Sequence, residues 1–121
     1  MSNNDKINYL EFPAKNILAT KAFFETVFAW SFVDYGPDYA SFSASDAGLD
    51  GGFFKSDLAA STDNGSALVV LYSDALEEAE VRVREAGCVI TKPIFSFPGG
   101  RRFHFTEPSG NELAVWSDIG A

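Results

Sequence analysis

Arg101-Arg102-Phe103-His104-Phe105-Thr106-Glu107-Pro108-Ser109-Gly110-Asn111-Glu112-Leu113-Ala114-Val115-Trp116 reads as two strands joined by a tight turn. Side chains alternate in direction along a strand, so Phe103 and Phe105 share one face while Arg102, His104 and Thr106 share the other. In the second strand Leu113 and Val115 take the apolar face, which leaves Glu112, Ala114 and Trp116 opposite. Pro108-Ser109-Gly110 supplies the turn chemistry, and a hairpin closed there sets His104 beside Ala114. One face is suited to a hydrophobic core, and the other carries an imidazole, a guanidinium and an indole.

Working outward, Cys88-Val89-Ile90 precedes this hairpin as a further strand. Before it, Leu76, Ala79, Val83 and Ala86 recur at helical spacing, with Asp74 and Glu77 placed like a capping box and Gly87 as the stop. Ala67-Leu68-Val69-Val70-Leu71-Tyr72 is a buried-type strand, so this half reads strand, helix, strand, strand, strand. A polar connector over about 56–65 separates it from an earlier run of the same order. There Ile7 to Phe12 alternates as a strand ended by Pro13, and Asn16 caps a helix carrying Phe23, Phe24, Val27, Phe28 and Trp30. Short strands follow around Phe32-Val33, Ala40 to Ser43 and Gly52 to Phe54, with turn-forming groups at Gly36-Pro37-Asp38 and Ser45 to Gly48. The spacing predicts an α+β fold: a single domain over 1–121 holding two βαβββ modules, 7–54 and 67–117. Each module has one helix to cover one sheet face, so the other face is expected to curl around a cavity or to meet a second chain.

Composition narrows the function classes. The chain has 121 residues, 46% hydrophobic and 21% charged, enough for a real core. Seventeen acids against nine bases give a net charge of -8, which argues against nucleic acid and anionic lipid as partners. Apolar stretches fall well short of the roughly 20 residues of a membrane span, and the polar start lacks a signal-peptide pattern, so a cytoplasmic location is expected. Cys88 is the one cysteine, which excludes an intrachain disulfide and a cysteine-built zinc site.

Two stretches carry a resemblance. Glu11-Phe12-Pro13 ahead of Lys21-Ala22-Phe23-Phe24-Glu25-Thr26-Val27-Phe28-Ala29-Trp30, and the late run from Phe97 to Trp116 with its acid-Pro-x-Gly-Asn turn, resemble the vicinal oxygen chelate superfamily. That group includes glyoxalases, bleomycin resistance proteins, fosfomycin resistance enzymes and extradiol dioxygenases. The resemblance implies a homodimer whose curled sheets surround a small-molecule site. It also implies, in metal-dependent members, His, Glu or Gln ligands on the first and last strands of each module. Those positions map to Tyr9, about Gly52, about Leu68 and Ala114, none of them a usual ligand. No metal site and no cofactor are therefore expected, short of an improvised ion site built on Glu11 and His104.

Parity turns Tyr9 and Glu11 of the first strand to the same side as Arg102, His104 and Trp116, and one cavity is expected to hold them. His104 and Glu11 are the candidate catalytic groups, an imidazole titrating near neutrality and a carboxylate for proton transfer. Glu11 equally suits a cationic ligand group or an ion pair with Arg102. Tyr9, Tyr72, Arg102 and Trp116 are the candidate ligand contacts: aromatic rings to stack on a flat compound and a guanidinium for a carboxylate or phosphate. Pro98-Gly99-Gly100 is either a loop over the ligand or simply a turn. Two functions fit, a metal-free protein that binds or sequesters a small organic compound, and a glyoxalase-like lyase, isomerase or dioxygenase. As a pocket residue, His104 is expected to tolerate truncation to alanine with little loss of stability.

Overall fold

The structure, a computed structural model, describes residues 2–120. Its first module comprises β1 (Tyr9–Ala14), α1 (Ile17–Phe28), β2 (Phe32–Asp34), β3 (Tyr39–Phe42), the short helix α2 (Ala44–Ala47) and β4 (Asp50–Lys55). The second comprises β5 (Val69–Tyr72), α3 (Leu76–Glu85), β6 (Val89–Phe97), β7 (Gly100–Thr106) and β8 (Glu112–Ser117). Each makes a four-stranded mixed sheet, ordered β1-β4-β3-β2 and β5-β8-β7-β6, with the first and last strands of each module paired in parallel.

Local chemistry accounts for the element boundaries. The side chain of Asn16 accepts from the Ala19 amide and satisfies one of the orphan donors of α1. Pro13 does not end β1, which continues to Ala14; β1 lies at a sheet edge, where a missing N–H is tolerated. At α3 the cap is Ala75 rather than Asp74, and no side chain caps the helix. Glu77 instead pairs with Arg101 of β7, at 2.5 Å. Of the two helix-face pairs the spacing allows, Glu80 and Arg84 meet at 3.7 Å, while Arg82 donates from Nε to the carbonyl of Val27 and so joins α3 to α1. Pro98 and Gly99 make a turn between β6 and β7, and Gly100 is already in β7.

The two long helices, α1 and α3, lie between the sheets. Phe24 stacks on Trp30 and meets Phe53 of the first sheet, while Phe23 and Phe28 of the same helix meet Phe105 of the second. Leu76, Ala79 and Val83 of α3 and Phe103, Leu113 and Val115 of the second sheet complete one continuous core. The hairpin register matches the alternation of its sequence, with His104 opposite Ala114 and Phe105 opposite Leu113. Register irregularities are confined to β6, between Ile90 and Lys92 and between Lys92 and Phe95.

The turn between β7 and β8 ties the modules together. Glu107 is buried, and its carboxyl oxygens accept from the Thr20 hydroxyl of α1, the Ser109 amide, and the Asn111 amide and side chain. Asn111 also donates to the carbonyl of Pro13 in β1 at 2.7 Å and accepts from the amide of Ala60. Gly110, at φ 95°, closes this turn in a conformation that favours glycine.

Replacing Glu107 by glutamine turns an amide N–H toward buried donors that now bond to its carboxyl, and unpaired buried donors cost about 1–3 kcal/mol each. We expect Glu107→Gln to lose more than about 2 kcal/mol in urea unfolding, and Phe105→Ala about 3–5 kcal/mol as a core aromatic truncation. Exposed Glu78→Gln should stay within about 0.5 kcal/mol of wild type.

Candidate functional site

Because the core fills the space between the sheets, the opposite face of each sheet is turned away from it. The predicted site residues divide accordingly. Tyr9 and Glu11 lie on the outer face of the first sheet, and Tyr72, Arg102, His104 and Trp116 on that of the second. The single cavity expected from parity alone is not formed within one chain, since parity fixes which face a side chain takes and not which way two sheets face. Nor do Glu11 and Arg102 pair: Glu11 accepts from Tyr39, and Arg102 has no acid partner among the described residues.

On the first sheet the Tyr9 hydroxyl lies 2.5 Å from that of Tyr39, which donates to Glu11 Oε2 at 2.9 Å. Loss of solvent and the hydrogen bonds to Tyr9 and Glu11 push the Tyr39 phenol above its ordinary value, so it remains a donor. Its ring lies over Gly52, where a Cβ would collide with the Tyr39 phenol and come within 2.8 Å of the Ala40 carbonyl oxygen. Tyr9 also borders a cleft of about 520 Å³ with Tyr35, Ser41 and Asp50. A cleft of about 770 Å³ beside the start of α1, lined in part by Lys15, Lys21 and Lys55, contains none of the predicted residues.

On the second sheet His104 is only 2% exposed, and its Nδ1 lies 2.9 Å from Glu112 Oε2. The other oxygen of Glu112 accepts from the amide and hydroxyl of Thr62, so the connector is laid across β8 rather than free in solvent. Burial by itself would raise the Glu112 pKa, but the hydrogen bonds from His104 and Thr62 outweigh it and hold the carboxyl below its ordinary value. With Nδ1–H donated to a carboxylate, Nε2 is left as the imidazole's acceptor. Nε2 is buried and has no partner among the described residues. Beside it, Arg102 lies over the rings of Phe95 and Phe97, and Trp116 meets Tyr72 edge-on at 5.4 Å. The Tyr72 hydroxyl donates to Asp118, which raises its pKa. Cys88 is a half-buried thiol, pushed up by burial and by the charge of Glu107.

Sequence reasoning missed Tyr39, Thr62, Phe95 and Phe97. The alternation Tyr39-Ala40-Ser41-Phe42 carried a signal for the first, since Ala40 and Phe42 are core and Tyr39 is therefore outward. The bulged register of β6 hid the two phenylalanines.

A divalent ion needs converging nitrogen or oxygen donors. The positions where the superfamily's ligands would stand hold Tyr9, Gly52 and Ala114, and β5, which begins one residue after Leu68, turns Val70 outward opposite Ala114. Among the described residues no three His, Cys, Asp or Glu side chains come together. This donor set does not fit the ion.

The sequence pattern of the family described as glyoxalase/bleomycin resistance protein/dioxygenase superfamily matches residues 6–115. No curated protein is similar enough to count as a match. Among solved structures, a glyoxalase/bleomycin resistance protein/dioxygenase family enzyme from Burkholderia phytofirmans is 14% identical with a TM-score of 0.75, covering 93% of this chain and 98% of its own. A lactoylglutathione lyase from Agrobacterium tumefaciens is 17% identical with a TM-score of 0.70, each chain covered over 99% of its length. A fosfomycin resistance protein from Listeria monocytogenes is 18% identical with a TM-score of 0.74, with 93% of each chain covered. At these identities the likeness is one of fold.

Two outcomes follow from the His104 environment. Contrary to the slight effect expected of a pocket residue, His104→Ala should cost about 1–3 kcal/mol, because Glu112 loses a partner. A lowered carboxyl pKa contributes stability that is present above the unfolded value, 4.5, and lost as pH falls through the lower folded value. The stability difference between wild type and Glu112→Gln should therefore be full at pH 6 and shrink below pH 4.5. A difference that does not shrink contradicts the assignment.

Proposed function

The chain belongs to the glyoxalase/bleomycin resistance protein/dioxygenase superfamily, and on that premise we propose that it is a metal-free binding protein for a small organic compound, held between two copies of the chain. The first sheet of one copy faces the second sheet of the other, so that Tyr9 and Glu11 meet Tyr72, Arg102, His104 and Trp116 across the interface. The observation that carries this reading is the replacement of the ligand positions: Gly52 offers no side chain, the Tyr39 phenol fills the space above it, and Val70 and Ala114 are apolar.

The outer faces supply the support for a second copy. Several of the exposed large apolar side chains, Tyr9, Val33, Phe54, Val70 and Tyr72, lie on them. Uncovered apolar surface of this kind marks an interaction site. Charge is complementary: Glu11 lies on the first sheet's face, and Arg102 and Lys92 on that of the second. Among the described residues no helix is long and apolar enough to cross a membrane.

The second reading, acid–base catalysis without metal, is favoured by the Glu112–His104 pair, which orients an imidazole with its Nε2 as base. Burial of Nε2 in the single chain weighs for binding over turnover.

Sedimentation or light scattering should give twice the chain mass of 13.1 kDa, and a monomer at micromolar concentration would overturn the shared site. Treatment with EDTA should leave the melting temperature unchanged. Stoichiometric transition metal in the purified protein would sink the metal-free reading.

A further inference from the structure

We propose that the outer face of the second sheet carries an anion seat, Arg102 held against Phe95 and Phe97, for the carboxylate of a flat aromatic acid whose ring lies against Trp116 and Tyr72. This deepens the binding reading above and rests on it for the face that the ligand occupies, but the seat itself is built within one chain.

Arg102 is held in place without being neutralised. Its guanidinium carbon is 5.3 Å from the ring centre of Phe95 and 5.5 Å from that of Phe97, distances at which ring faces attract a cation. Its Nε is buried with no hydrogen-bond partner among the described residues, and no acid forms an ion pair with it. Arg101, one residue earlier on the opposite face, shows the contrast: it is paired with Glu77 and donates to the carbonyl of Ile119. The acids beside this face are already engaged, Glu112 by His104 and Thr62 and Asp118 by Tyr72.

His104 follows Arg102 on the same face of β7, but its Nε2, an acceptor, takes no part in holding an anion, so the seat rests on Arg102. The shape of the seat selects the ligand. A planar guanidinium edge matches a planar carboxylate with two parallel hydrogen bonds. Trp116 is the register partner of Arg102, with Phe97 at 6.4 Å and Tyr72 at 5.4 Å from its ring, a wall suited to an aromatic body.

Phenylacetate and its neutral isostere phenylacetamide test the seat by titration calorimetry at pH 7, with the mass of the protein followed by light scattering in the same samples. Phenylacetate should bind at least about tenfold more tightly than the amide, about 1.4 kcal/mol. Arg102→Gln should reduce phenylacetate to the affinity of the amide. Equal binding of acid and amide by the wild type overturns the proposal without need of any variant, as does absence of binding up to about 10 mM. Undiminished phenylacetate binding by a folded Arg102→Gln protein overturns it as well. A monomer that still prefers the acid through Arg102 supports the seat and removes only the paired-chain arrangement.

Discussion

A buried carboxyl group organises this fold. Glu107 sits at the end of β7 with hydrogen bonds arriving from α1, from its own turn and from Asn111, and Asn111 extends the same network to β1 and to the connector. A carboxylate taken out of water is costly unless its lone pairs are met, so the donors must be present together or the arrangement loses its advantage. That requirement links elements distant in sequence: Thr20 and Pro13 of the first module and the final hairpin of the second. The apolar contact of Phe23 and Phe28 with Phe105 supplies burial across the same junction but little direction, whereas hydrogen bonds with defined geometry fix the angle at which the modules meet.

That angle decides what the outer faces can do. With α1 and α3 placed between the sheets, one chain cannot close its own two outer faces on each other. The chemistry is accordingly segregated. A phenol–phenol–carboxylate chain lies on one sheet, and a guanidinium, an imidazole and aromatic rings lie on the other. The superfamily's fold is present, and glycine, apolar residues and a tyrosine bonded to a neighbouring phenol stand where metal ligands were expected.

Much of the architecture was legible because it depends on local periodicity. The alternation of Arg102 to Thr106 and of Glu112 to Trp116 assigned every side chain of the hairpin to its observed face, and the helical spacing of Phe23, Phe24 and Val27 identified the core of α1. The site was less legible, because its decisive contacts join residues far apart in the chain. Tyr39 reaches Glu11 across 28 positions, and Thr62 reaches Glu112 across 50. Nothing in the polar composition of the connector distinguishes a strap from a free loop, and that strap is part of what buries Glu112 and, through it, holds His104. Asp74 misled for the opposite reason: its spacing to Glu77 is right for a cap, but a tertiary partner, Arg101, claims the glutamate.

The ring of Tyr39 over Gly52 limits what position 52 can become. An acid placed there would meet both that phenol and the Ala40 carbonyl oxygen, so a single substitution introducing a ligand is penalised before any ion can reward it. Shrinking Tyr39 first would strip Glu11 of its donor and Tyr9 of its acceptor, with no compensating gain. Placing a ligand at position 52 thus requires passing through a less stable sequence whichever step comes first.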